Sequence, residues 1–387
     1  MNRDRVSRSR RVLWWLSALT VAWWAVACGG GVGTGGTGAF ASGPITGFGS
    51  IVVDAVHFDE SAARVEDDDG SGRDRNELRL GTMVEIDSSE IRDGAAVASR
   101  VRIVSALIGS VESVASGALV VNGLTVHIDA GTVFDDRFVG GPAAVETGRT
   151  VEVFGFVLSG SGEIQATRIE PDDGAGAFKF RGVVSALNTQ ARTFDIGSQR
   201  FSFPGSVSGA SELRDGAFVR VLVGTQRNVQ GRWNVAAIGN TGPGGGDGDQ
   251  AKARGVITTF TSTANFSVGG FTIDASAAQI HGGPLAAGQR VEVDGRLQAG
   301  VLIASSVDVE DQNDHDVLEL RGAIASVDTV AKVFVIAGRS ERVSYARPDI
   351  VFENGSAALL QVGRNVRATG QLSADGTLVE ATRIHFD

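Results

Sequence analysis

Beyond residue 40, short runs alternate apolar and polar positions with period two, and many are bounded by glycine-containing turns. The clearest stretch is 108–170. There Leu119-Val120-Val121 and Leu124-Thr125-Val126-His127-Ile128 flank Asn122-Gly123. Asn-Gly between alternating runs marks a two-residue hairpin, because both residues tolerate the positive φ of a type I′ turn. Residues 150–155 alternate again and place Val151 and Val153 on one buried face. Ser159-Gly160-Ser161-Gly162 supplies a turn, and a last strand follows with Ile164, Ala166 and Arg168 on one face and Gln165, Thr167 and Ile169 on the other. No segment beyond residue 40 shows sustained helical periodicity with caps.

This grammar recurs. The Val-x-Val strand returns as Val84-Glu85-Ile86, Val219-Arg220-Val221, Val291-Glu292-Val293 and Val366-Arg367-Ala368, and an opening glycine returns at Gly109, Gly182, Gly255 and Gly322. A block of about seventy residues thus occurs five times. Five or six short strands in so short a block bury a core best by curling into a barrel. The expected fold is all-β: five tandem small β-barrels, OB-like or SH3-like, after a signal peptide and a Gly-rich tether. Their boundaries are read at 41–104, 105–173, 174–240, 251–314 and 315–387. A barrel of this size is marginally stable alone, so neighbouring copies should lean on one another. The Gly-rich linker 241–250 is expected to separate copies one to three from copies four and five.

The N-terminus changes the picture. Arg3, Arg5, Arg8, Arg10 and Arg11 precede an uncharged, mostly apolar stretch at 12–27, which reads as a signal peptide over 1–27. The stretch is shorter than the roughly 20 residues of a comfortable transmembrane helix. Ala25-Val26-Ala27-Cys28 resembles the lipobox of bacterial lipoproteins, with Ala25 where Leu is usual, and Ser9-Arg10-Arg11-Val12-Leu13 resembles a twin-arginine signal. Cys28 is the single cysteine of the chain. It cannot form an internal disulfide, and acylation gives a lone thiol in an oxidising envelope a purpose. Residues 28–40 then form the acylated, Gly-rich tether, with a reach of roughly 20 Å. Gly33, Gly35 and Gly38 match a dinucleotide fingerprint in spacing only, since no βαβ unit surrounds them. The expected location is the cell envelope, lipid-anchored, at an outer membrane or facing a periplasm.

Loss of residues 1–27 removes five arginines and Asp4, moving the formal charge from −10 to −14. Such a chain is not expected to bind nucleic acid, which calls for clustered Lys and Arg. Scarce aromatic residues weigh against stacking platforms. No Gly-x-Ser-x-Gly elbow or Walker loop occurs, and the five histidines are scattered. No catalytic residue is assigned.

Two acidic clusters remain. Residues 66–74 carry Asp67 and Asp69 within a run that could supply oxygen ligands to Ca²⁺, but an EF-hand register places Leu78 where Glu is needed. A solvated acidic turn is favoured there. Residues 308–316 hold Asp308, Glu310, Asp311, Asn313, Asp314 and Asp316 at the joint of copies four and five. Asp311-Gln312-Asn313-Asp314 resembles the calcium linker of cadherin repeats, which would make Ca²⁺ the one candidate cofactor.

The first copy, from Ile45-Thr46-Gly47-Phe48-Gly49-Ser50-Ile51-Val52-Val53 through residues 76–86, resembles the opening module of bacterial lipoproteins built from the domain of unknown function 5666. The resemblance implies small β-barrel modules and an envelope location, and no activity. Three functions follow in order. The first is a non-enzymatic envelope lipoprotein serving as a tandem-repeat scaffold or binding module, held on the membrane by its lipid and meeting envelope proteins or glycans. The second is a binder of Ca²⁺ or a cell-wall glycan, and the third a hydrolase.

Overall fold

The computed structural model describes residues 38–158, 160–174, 176–240, 245–311 and 317–387. The expected signal peptide, residues 1–27, and Cys28 lie outside them. Among the described residues no helix is long and apolar enough to cross a membrane.

The first block contains β1 (Gly38–Phe48), β2 (Ile51–Val53), β3 (Val56–Asp59), β4 (Arg64–Asp67), β5 (Met83–Ser89) and β6 (Ala95–Ile103). The end of β1 runs antiparallel to β2, and its beginning antiparallel to β5. β2 continues antiparallel to β3, β3 runs parallel to β6, and β6 returns antiparallel to β5. The circuit closes, with β4 added in parallel on β6. A closed five-stranded barrel in which the third strand lies parallel to the fifth is of the OB type, which decides between the two barrel kinds expected.

The same circuit recurs. In residues 105–173 it is made by β7 (Leu107–Ala115), β8 (Ala118–Val121), β9 (Leu124–His127), β11 (Thr150–Val157) and β12 (Ile164–Pro171), with β10 (Val133–Phe134) added on β12. It continues with β13 (Phe178–Asn188), β14 (Thr193–Ile196), β15 (Gln199–Ser202), β16 (Phe218–Arg227) and β17 (Trp233–Asn240), without an added strand. Next come β18 (Gln250–Ser262), β19 (Asn265–Val268), β20 (Phe271–Asp274), β22 (Arg290–Gln298) and β23 (Val301–Val309), with β21 (Gln279–His281) on β23. Last are β24 (Leu318–Asp328), β25 (Val333–Ile336), β26 (Arg342–Ser344), β28 (Asn365–Leu372) and β29 (Val379–Phe386), with β27 (Val351–Glu353) on β29. These circuits are called barrels 1 to 5 in chain order.

The opening glycine recurs for a steric reason. The first strand crosses its own hairpin so closely that a Cβ at Gly182 would lie 2.3 Å from Ile196 Cγ2. A second glycine position escaped the sequence reading. Gly155, Gly295 and Gly370 each sit where the fourth strand bulges against the fifth, and a Cβ there would stand 2.2, 2.1 and 2.2 Å from a carbonyl oxygen. The bulge also corrects the face assignment of the last strand: Ile164, Ala166 and Ile169 all enter one core, because the register shifts by one residue between Ala166 and Arg168. Gly295→Ala is expected to cost about 1–3 kcal/mol by overpacking, read as a lower urea midpoint. Gly224→Ala, which meets nothing within 4 Å, serves as the neutral comparison.

The barrels do not stand apart. Each half of β1 has one side paired within its barrel and the other side open. Ala39–Ser42 takes up Gln250–Ala253 of β18 in parallel, and Gly47–Phe48 takes up Glu319–Leu320 of β24. An unsatisfied strand side is a template for another strand, and here the chain's own later copies fill it. Phe40 enters the core of barrel 4, while barrels 1 and 5 share one continuous apolar cluster. Barrels 2 and 3 meet through β7 and β13 and share another.

The expected separation at 241–250 is thereby corrected. Residues 241–244 lie outside the described residues, but Asp249 Oδ1 accepts from Gly38 N at 3.1 Å and Asp247 Oδ1 from Ala299 N at 2.7 Å. The segment is tied down beside the joint it was expected to loosen.

Candidate functional site

Several charged residues that recur in no other copy lie at the joints. In barrel 1 the turn after β4 is shaped by Asp67, whose Oδ1 accepts from Asp69 N and Ser71 N, both at 2.9 Å. The next turn, the 3₁₀ segment Arg75–Glu77, is fixed by a capping box between Asp74 and Glu77. Between these anchors Asp68 projects into barrel 3. Its side chain is 3% exposed and meets Lys179 Nζ at 2.7 Å, Arg181 at 3.3 Å and Arg220 at 3.7 Å. Asp69 also pairs with Arg220. Burial alone would raise the Asp68 pKa, but Arg181, Lys179 and Arg220 overcome it and hold the carboxyl below its ordinary range. Glu85, packed beneath against Arg102 and Arg181, is pushed upward by burial.

The tip of the acidic turn, residues 69–72, is exposed as a solvated turn would be, but Asp68 and Asp69 pair with Lys179, Arg181 and Arg220 of barrel 3, while Glu66 and Asp67 pair with Arg64, Arg100 and Arg73 of barrel 1 itself. Sequence reasoning missed this basic socket, although Lys179 and Arg181 flank Phe180, and Arg220 stands between Val219 and Val221.

Beside the socket lies an open cleft of about 430 Å³ between barrels 1 and 2, lined by Arg73, Arg79, Asp135, Arg137, Glu152 and Glu170 among others. Asp135 accepts from Arg168 Nη2 at 2.8 Å and Arg137 Nε at 2.7 Å, and Arg168 Nε donates to Glu170 at 2.9 Å. Glu152 is pushed up to about 7 by burial and by Glu170, against the pull of Lys179 and Arg73. No hydroxyl or thiol nucleophile lines this cleft.

A third charged joint links barrels 1 and 4. Asp54, at the tip of the β2–β3 turn with φ of 54°, lies 3.4 Å from Lys252 Nζ, which also holds Glu292 at 2.9 Å and Asp294 at 2.7 Å. Burial and the neighbouring Glu292 push Asp54 up to about 7. A cavity of about 110 Å³ among barrels 1, 2, 4 and 5 includes Arg254 and Arg290 in its wall. It is smaller than sites that enclose an organic ligand.

The described members of the second acidic cluster have separate partners. Asp308 lies on β23 opposite His281 and Glu292. Glu310 is clasped by Arg254 at 2.7 Å and Arg290 at 2.6 Å, and Asp311 O accepts from Arg290 Nη2 at 3.1 Å. Asn313, Asp314 and Asp316 lie outside the described residues. Among the described residues no group of three His, Cys, Asp or Glu is placed to hold a metal ion.

Comparison with known proteins finds a family profile within three segments of the chain. A profile described as domain of unknown function (DUF5666) matches residues 108–170, 254–308 and 321–385, which fall on barrels 2, 4 and 5. Barrels 1 and 3 repeat the strand circuit outside the matched segments. No curated protein matches the chain. Among solved structures, one titled drosophila Unr CSD456 aligns at 13% identity with a TM-score of 0.14, covering 55% of this chain and 98% of that one.

Proposed function

We propose that this tandem-repeat protein of DUF5666-like modules is a non-enzymatic, lipid-anchored platform of the cell envelope, on which joined barrels hold binding surfaces in fixed relation for envelope proteins or glycans. One observation carries the reading: several charged residues that recur in no other copy are engaged in joining barrels, as Asp68 joins barrel 1 to barrel 3 and Asp54 joins barrel 1 to barrel 4. Fixed relative placement lets several weak contacts act together with a high effective concentration. The reading takes residues 1–27 as a signal peptide and Cys28 as the acylated N-terminus, from which β1 begins ten residues downstream.

The test is fractionation and crosslinking pull-down of the full chain beside Cys28→Ser. The parent chain is expected in the membrane fraction, labelled by a fatty-acid probe, with a reproducible envelope partner. Cys28→Ser is expected to lose the label and leave that fraction. An unlabelled parent chain, or a pull-down empty above background, would overturn the reading.

A further inference from the structure

We infer that the outer face of barrel 3, made by β14, β15 and the turns at 188–192 and 227–232, binds an acidic polysaccharide. The inference rests on the platform reading and specifies one of its surfaces.

Charge is unevenly distributed. Residues 174–240 carry eight Lys and Arg against three carboxylates, whereas residues 38–173 carry ten against twenty-three. Barrel 3 is thus cationic within a chain of formal charge −10. Lys179, Arg181 and Arg220 are occupied by barrel 1. Arg192, Arg200 and Arg227 are exposed and Arg232 is half-buried, and none of the four makes an ion pair with a described residue. One carboxylate, Asp195 of β14, lies within this face, across from Arg200 in the β14–β15 register.

The polar groups between these arginines are already fixed. Thr193, Ser202 and Asn234 form a row across β14, β15 and β17. Asn228 reaches over from its turn and donates Nδ2 to Ser202 Oγ at 3.2 Å and to Asn234 Oδ1 at 3.0 Å. The Asn228 carboxamide oxygen in turn accepts from Gln230 N and Arg232 N, both at 3.0 Å. The Arg227 guanidinium stacks over Trp233 at 4.5 Å and donates to Gln199 Oε1 at 2.7 Å. Such a surface loses little freedom when it binds.

Guanidinium forks match the carboxylates of uronate residues, and amide and hydroxyl groups at this row match sugar hydroxyls. The rings of Phe194, Phe201 and Trp233 are buried in the barrel core, so the face offers no platform on which bases could stack. That chemistry favours an acidic glycan over single-stranded nucleic acid. The position agrees with where OB-type barrels take oligomeric ligands, on their second and third strands and the adjoining loops.

The experiment titrates the full, detergent-solubilised chain with polygalacturonate, with neutral dextran, a labelled single-stranded oligonucleotide and phosphatidylglycerol vesicles as comparisons. Polygalacturonate is expected to bind, to weaken as salt shortens the screening length, and to lose about tenfold in affinity, or about 1.4 kcal/mol, in Arg192→Glu/Arg200→Glu. Lys332→Glu/Arg342→Glu, at two exposed positions of barrel 5 without an ion pair to a described residue, makes the same charge change and should bind within about twofold of the parent. Both variants should melt as the parent does, since exposed substitutions shift stability little. Absence of polygalacturonate binding, equal binding of dextran, stronger binding of the oligonucleotide or vesicles, or an unaffected barrel 3 variant would each overturn the inference. A partner still recovered in the pull-down would then leave the platform reading standing, whereas an empty pull-down would remove both.

Discussion

Asp68→Ala is expected to destabilise the folded chain by about 3–5 kcal/mol, the cost of removing one partner from a buried ion cluster. The carboxylate is nearly sealed from solvent and faces three cationic groups of barrel 3. Its removal leaves Lys179, Arg181 and Arg220 close together in a poorly solvated place, where their repulsion is weakly screened. Loss should appear first as trypsin cleavage near Lys179 and Arg181 in the full chain, then as a lower urea midpoint. Adding Lys179→Met to Asp68→Ala should recover part of the loss by removing one uncompensated charge. Glu90→Ala, which breaks the exposed pair with Arg92, should cost below about 1 kcal/mol. An Asp68→Ala midpoint close to that of Glu90→Ala would show that the socket does not hold barrels 1 and 3 together.

The socket also marks where local pattern stops informing. Alternation at period two locates strands because it is set by neighbouring residues. The Asn122-Gly123 turn is legible for the same reason, and both residues take the positive φ such a turn needs, 46° and 79°. The barrel joints are made by residues far apart in sequence, such as Gly47 with Glu319 and Asp68 with Lys179. At those positions an outward charge that meets another barrel reads like an outward charge that meets water. Arg168 shows the same confusion from the other side. It lies beyond a bulge that alternation cannot register, and it is buried between Asp135 and Glu170. The candidate cation clusters were legible as acidic runs, but the pairing of Asp68, Asp69 and Glu310 with Lys and Arg of distant sequence was not.

Raising pH from 5.5 to 8.5 is expected to destabilise the chain through two buried carboxyl groups. Asp54 faces Lys252, Arg254, Glu292 and Asp294, and Glu152 faces Arg73, Lys179 and Glu170. Burial, the largest cause at both, pushes each up to about 7. The folded chain therefore holds these protons at a pH where the unfolded chain has released them. Their contribution to stability is complete below the ordinary carboxylate range, near pH 4, and declines until the pH passes about 7. Between pH 5.5 and 8.5 the loss is about 2 kcal/mol for each site. At the first site the proton belongs to the Asp54–Glu292 pair, since the two titrate together. Asp68 and Asp135 are held low by their cationic partners. Their contribution has the opposite sign and disappears only as pH falls through their lowered values, so the most stable pH lies on the acid side of neutrality. Denaturant midpoints of the parent chain should fall from pH 5.5 to 8.5. Asp54→Asn and Glu152→Gln, which keep the shape and cannot ionise, should each flatten that fall, and the double variant should flatten it most, leaving the part contributed by Glu85, which burial also pushes upward. A parent profile that rises across this range, or a double variant with the parent's slope, would show that both carboxyls are ionised in the folded chain. Because Asp54 stands at the barrel 1–4 joint and Glu152 in the cleft between barrels 1 and 2, a slope carried by these two residues would place the pH dependence at the contacts between barrels and not within any single barrel.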